Sequence, residues 1–186
     1  IYSISGYNIA HVDITAKICT DHDIRYEHID RIEAVVNWLE TQYPSPAFTS
    51  RREDLLHTAG GTAYHLAYAA IKRGFPMLRD WAPQSSSKDD PPEVLELTQR
   101  VTLIPSHTMT LFGPRITIFT KDGKSYTQQG TGREFIWDFN EQARRIRGID
   151  PGLPIPVAQY ESIISMCRDL EKQPRADALV KLMVKQ

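Results

Sequence analysis

The stretch "RITIFTKDGKSYTQQG", residues 115–130, most constrains the fold. Ile116, Ile118 and Thr120 alternate along one strand, Asp122-Gly123 forms a turn, and a second strand returns. This hairpin sits in a chain whose other segments mostly carry the helical period, so the architecture is mixed. "SGYNIAHVDITAKICTDHD" predicts a helix over about 8–21, with His11, Ile14 and Ile18 on one face and Asp13 pairing with Lys17 on the other. "IEAVVNWL" predicts a buried strand after a short helical turn. "GGTAYHLAYAAIKRGF" predicts a helix capped by Thr62, with a stripe of Ala63, Leu66, Ala67, Ala70 and Ile71, stopped at Gly74 and Pro76. "EVLELTQRV" predicts a short helix, and "VTLIPSH" a strand broken at Pro105.

The remainder changes character. "REFIWDFNEQARRIRG" predicts a helix with Phe135, Phe139, Gln142 and Ile146 along one side. Two more helices follow, "VAQYESIISMCRDLEKQ" and "PRADALVKLMVKQ", the second begun by Pro174. Proline-rich and polar loops are expected at "YPSPAFTSRRED" and "APQSSSKDDPP", and a linker at "GIDPGLPIP". The fold class is therefore α+β: helices packed on a short sheet over 1–131, then an all-helical tail over 132–186.

Composition narrows the function classes. A length of 186 residues suits one large domain, or a small one with an appendage. The net charge of −1 gives no electrostatic reason to expect nucleic acid or an acidic membrane as partner. The sequence contains no apolar run of about 18 residues that would span a bilayer. Cys19 and Cys167 are too few for a disulfide framework, so a reducing compartment is expected: the cytoplasm or, in a eukaryote, the mitochondrion. No signal peptide is recognised, and the opening Ile1 reads as part of a longer chain.

The six histidines lack metal-ligand spacing such as HExxH, so no metal site is expected. The pairs His22/His28 and His57/His65 are the closest, and neither places two rings on one helical face. Gly130-Thr131-Gly132 lacks the third glycine of a dinucleotide loop and reads as a turn out of the hairpin. "ARRIRG" reads as a basic helix end, and no GxSxG elbow is present. His11 can point into a cleft or hydrogen-bond under a neighbouring loop. Tyr64, His65 and Tyr68 cluster on one helix, either as packing residues or as proton-transfer groups.

The order of segments then becomes informative. A histidine-led helix is followed by "HIDRIEAVV", the small-residue helix "TAYHLAYAAIKRG", "PEVLELTQRVTLIP", a strand pair around "DGK", and helices ending "DLEKQPRADALVKLM". This order resembles the C-terminal part of the MmgE/PrpD family, which includes 2-methylcitrate dehydratase, cis-aconitate decarboxylase and an iminodisuccinate epimerase. The resemblance covers nearly the whole chain and rests on many weak motifs in order. It implies a lid domain over 1–131 and helices that return to an N-terminal helical domain absent from this sequence, with the active site in the cleft between.

It further implies a lyase, a dehydratase or decarboxylase acting on a small polycarboxylate such as 2-methylcitrate, with no cofactor and in a homodimer. The chain alone is expected to be inactive. His11 matches the histidine that opens the lid's first helix. The family's lysine before that helix has no counterpart in 1–10, where Tyr2 is nearest by position. The family's tyrosine, nine residues before the glycine ending the second lid helix, falls on His65, beside Tyr64. His11 and His65 are thus the candidate catalytic residues, expected as neutral rings across one concave surface, with helix starts disfavouring their charged forms. Tyr64, Arg51, Arg52 and Lys72 are the candidates for holding substrate. The alternatives are an isomerase or epimerase of the same family, and a non-catalytic dimerisation or interaction domain that kept only the fold. Without a partner, the tail is expected to expose Phe135, Ile136, Phe139, Leu153, Ile163 and Ile164.

Overall fold

A computed structural model describes residue 6 and residues 8–42, 61–76, 91–148, 155–175 and 177–184. The expected loops over 43–54 and 82–90, and the linker over 149–154, lie outside these residues. The chain has an α+β fold and divides into two compact units, Tyr2–Ile136 and Trp137–Gln186. The boundary expected at residue 131 precedes that division. No helix among the described residues is long and apolar enough to cross a membrane.

The first unit opens with helix α1 (Asn8–Asp21), a one-turn 3-10 helix at Tyr26–His28 and strand β1 (Ile29–Asn37). Helices α2 (Trp38–Gln42), α3 (Thr62–Lys72) and α4 (Pro92–Thr98) follow. Strands β2 (Val101–Ser106), β3 (Arg115–Thr120) and β4 (Ser125–Gln129) complete a sheet of order β2-β1-β3-β4. β2 runs parallel to β1, whereas β3 and β4 are antiparallel to their neighbours. Ile32 faces Ile118 and Ala34 faces Ile116 across β1 and β3, so these residues share the sheet face that joins the core. The register shifts between Ile29 and Arg31, which lets Ile29 and Ile32 both turn inward although they are three apart. α1 and α3 contribute Ile14, Ile18, Leu66, Ala67 and Ala70 to the same core.

Several local expectations are corrected. Gly61, not Thr62, occupies the N-cap of α3, because the Thr62 hydroxyl is engaged with Asn8. Arg73, not Gly74, ends α3 in the left-handed region at φ 54°, its N–H donating to the Ala69 carbonyl. The apolar stripe of α3 widens to burial of Thr62 through Ala70. β2 runs through Pro105, which pairs with Val36; an edge strand tolerates a missing donor. β1 ends at Asn37, so Trp38 and Leu39 belong to α2. Lys17 pairs with Asp21 rather than Asp13.

The hairpin forms as its sequence dictates: Thr120 N–H donates to the Lys124 carbonyl at 2.9 Å, and Gly123 sits at φ 84°. Beyond β4 the chain folds tightly against residues 111–113. A Cβ on Gly132, at φ 78°, would meet the Leu111 carbonyl oxygen at 2.6 Å, and one on Gly130 would meet Ile14 Cδ1 at 2.8 Å. The Glu134 carboxylate accepts the N–H groups of Thr131, Gly132 and Arg133 there. Burial pushes its pKa up, but these donors outweigh that and hold it below the usual range. The GxG element is therefore a close backbone crossing as well as a turn.

The second unit contains α5 (Phe139–Arg147), α6 (Val157–Arg168), a 3-10 turn at Leu170–Lys172 and α7 (Asp177–Met183). Asp138 caps α5 by accepting the Glu141 N–H at 2.8 Å, so Phe135 lies before the helix rather than on it. Phe135 instead meets Phe112 edge-on at 5.6 Å within the first unit. α7 starts at Asp177, not at Pro174. Ala143, Tyr160 and Ile164 form a small core. Of the residues expected to be exposed, Ile136 and Phe139 are exposed, Ile163 is half-buried, Ile164 is buried, and Leu153 lies outside the described residues.

Candidate functional site

Two polar residues on α1, one turn apart, meet a polar face of α3. His11 and Asn8 point from α1 into the interface with α3, where small alanines let the two helices approach closely. The Thr62 hydroxyl donates to Asn8 Oδ1 at 2.8 Å, which leaves the Asn8 amide N–H facing His65 Nδ1 at 3.3 Å. This chain of donors assigns the proton of neutral His65 to Nε2, which has no hydrogen-bond partner among the described residues. Burial lowers the His65 pKa to about 4; the charge of His11 adds to this and the Gly61 carbonyl opposes it. His65 is therefore neutral at neutral pH, as its buried position dictates.

Glu40 completes the constellation from α2. Its Oε2 lies 3.7 Å from His11 Nε2, and its Oε1 accepts the Phe112 N–H at 2.9 Å. The turn that aims Glu40 is built by Asn37, which donates to the Met109 carbonyl and accepts the Leu39 N–H at 2.9 Å. Burial pushes the Glu40 carboxyl above its ordinary value, while backbone groups of Phe112 and Asn37 pull it back in part. The separation exceeds hydrogen-bond length by about half an ångström. The pair can exchange or share a proton after a small side-chain movement.

The sequence candidates fall into three groups. His11 and His65 are both buried and near enough for the charge of His11 to act on His65, whose ring meets Asn8 of the same helix as His11. Tyr64 stands edge-on to His65 at 5.9 Å and is buried. Lys72 is exposed on the last turn of α3 and pairs with Glu93 at 3.4 Å. Tyr2, Arg51 and Arg52 lie outside the described residues. The expected concave surface is corrected: His11 and His65 are each 1% exposed, so they are enclosed rather than arrayed along an open wall. Large apolar neighbours on both helices and the covering sheet shut out solvent.

Glu40 and Asn8 were missed in the sequence. Extending β1 through Trp38-Leu39 hid the short helix that carries Glu40. The usable signal is an acid placed just past the apolar run "IEAVVNWL"; in the structure Glu40 is buried. Comparison with models of known protein families and with curated protein sequences found no match.

Proposed function

We propose that the chain supplies the acid–base part of a cofactor-independent lyase of MmgE/PrpD type, acting on a small polycarboxylate. The observation that carries this reading is the buried Glu40 carboxyl 3.7 Å from His11 Nε2, with neutral His65 in the same interface. Removing a proton from carbon next to a carboxylate requires a positioned base, stabilisation of that base once protonated, and donors for the negative charge that develops on the substrate. In this reading His11 takes the proton on the ring nitrogen turned away from Glu40. The Glu40 carboxylate, facing Nε2, stabilises the resulting imidazolium. His65, carrying hydrogen on Nε2, is a donor toward a developing oxyanion. Substrate reaches these groups when the α1–α3 interface opens toward a second, helical domain, which completes the cleft by resemblance to the family.

A second reading has its own support. Two histidines that are 1% exposed are also what a purely structural polar pair looks like, which favours a non-catalytic interaction domain. The test is turnover of 2-methylcitrate and cis-aconitate by the complete product of the gene, with His11→Asn and Glu40→Gln alongside. The catalytic reading expects each variant to lose about 100-fold or more in kcat while its melting temperature stays close to wild type. Unchanged turnover with lowered stability would overturn it in favour of the structural reading.

A further inference from the structure

A cavity of about 580 Å³ opens where the tip of the β3–β4 hairpin meets the connection from α1 to β1. Its size falls in the range of small-ligand pockets. Lys121 N–H donates to the His28 carbonyl at 2.8 Å, which fixes the hairpin tip onto the start of β1. Ile24 N–H donates to the Cys19 carbonyl at 2.9 Å, which closes α1 and seats buried Ile24 in the cavity wall. His22 packs against Tyr126 with ring centroids 4.4 Å apart. The walls are thus tied to the sheet on both sides. The His22/His28 pair, which shares no helical face in the sequence, is brought to one cavity by the turn at Asp23, whose φ is 46°.

The charges in this cavity are unevenly committed. Asp23 accepts from Arg73 at 3.0 Å. Asp122 accepts from the Thr120 hydroxyl at 2.5 Å and from Lys124 at 2.7 Å. Both carboxylates therefore have cationic partners of their own. Lys121 makes no ion pair among the described residues, and the rings of His22 and His28 make no side-chain hydrogen bond there. Lys121 and Lys124 also line a second hollow of about 360 Å³ on the other side of the hairpin, beside Arg31. What remains available is a set of N–H donors with one uncompensated positive charge. Such a set suits an acceptor-rich, multiply charged oxyanion.

We propose that this cavity binds a small multivalent oxyanion, a polycarboxylate or a phosphate, through Lys121, His22 and His28. The site is distinct from the His11–Glu40–His65 cluster. Glu40 follows the far end of β1 and His28 precedes its near end, so the nine-residue strand separates them by about 25–30 Å at about 3.3 Å per residue.

The test is a titration of the chain with citrate and, separately, with inorganic phosphate, sodium chloride holding ionic strength constant. The readout is the imidazole resonances of His22 and His28 and the Lys121 amide. Saturable shifts in the millimolar range are expected. Saturation by citrate alone identifies a carboxylate ligand, by phosphate alone a phosphate ligand, and by both a general oxyanion site. Lys121→Gln should weaken binding about tenfold, the loss of one charge-assisted contact. Lys121→Arg should retain binding, and Lys172→Gln, in the second unit, should leave it unchanged. Shifts that do not saturate, that chloride reproduces, or that Lys121→Gln leaves intact would overturn the proposal.

Discussion

The two units use the same kinds of residue to different effect. In Tyr2–Ile136 a four-stranded sheet and the helices α1, α3 and α4 enclose one continuous apolar cluster, in which Ile29, Ile32, Leu66, Leu97, Ile116 and Ile118 are completely buried. In Trp137–Gln186 three short helices enclose, among the described residues, Ala143, Tyr160 and Ile164, with Ile146 and Ile155 at the edge. Val157, Leu170, Val180, Met183 and Val184 stay exposed. A sheet presents a broad face that a few helices can seal. Short helices meeting in pairs leave their outer flanks in water unless a further surface covers them. The contrast teaches that helical pattern alone does not make a core. The first unit has a large enclosed core, whereas the second has a small one.

The largest expected effect tests that contrast directly. Ile118→Ala should destabilise the first unit by about 4 kcal/mol, because its site is fully enclosed and cannot collapse easily. Ile164→Ala should cost about 1–2 kcal/mol, because its neighbours are few and partly wet. Denaturant melts followed by amide exchange, which separates the two units, would measure both. Equal costs would break the comparison.

Next in size is a pH effect seated in the first unit. Unfolded histidine gains its proton near pH 6.5, while buried His65 does so only near 4. Between those values the unfolded chain binds more protons, so stability falls as pH falls, by about 3 kcal/mol over the window. Glu40 has the opposite sign. Its raised pKa favours the folded state at low pH and loses that contribution as pH rises through its folded value. His65→Phe should flatten the acid-side loss seen in melts from pH 7 down to about 4. A wild-type slope in that variant would show that another group controls acid stability.

A backbone crossing within the first unit comes next. Gly132→Ala should cost about 2 kcal/mol, because φ 78° is strained for alanine and the new methyl meets a carbonyl oxygen at 2.6 Å. Gly123→Ala shares the positive φ, 84°, but meets nothing within 4 Å, so about 1 kcal/mol is expected. Thermal melts of the two variants isolate the steric part. If they matched, strain alone would account for both.

Much of this was legible in the sequence, and the limits follow from physics. α1, β1, α3 and the hairpin carry strong periodicity or turn chemistry, so their patterns survive in the fold. The errors cluster where a neighbour captures a local group. Thr62 has the chemistry of a cap, but Asn8, 54 positions earlier, takes its hydroxyl. Gly74 has the chemistry of a stop, but Arg73, which also reaches Asp23, adopts the left-handed conformation first. For the candidate site, His11 and His65 stood out as histidines on apolar helices. Glu40 did not, because its meaning depends on the Asn37–Met109 contact that turns α2 back over the core. Burial of both rings was equally invisible, since helical spacing gives a face but not what covers it.

The smallest expected effect probes what holds the second unit. Arg147 and Glu161 form a two-pronged pair at 2.7 and 2.8 Å that links α5 to α6. The Arg147 guanidinium holds the Glu161 carboxyl below its usual range, chiefly by hydrogen bonding and then by charge, against an opposing effect of desolvation. Both side chains are open to water, so solvent screens the attraction and ordering two long side chains opposes it. Arg147→Ala should therefore shift the midpoint of the second unit slightly at low salt. The shift should vanish at about 0.5 M salt, where the screening length is only a few ångströms. A double-mutant cycle with Glu161→Ala at both salt concentrations isolates the pair. Should Arg147→Ala prove as costly as Ile164→Ala and insensitive to salt, the pair would be a buried fastener in solution. The second unit would then owe its order to a covering surface rather than to its own small core.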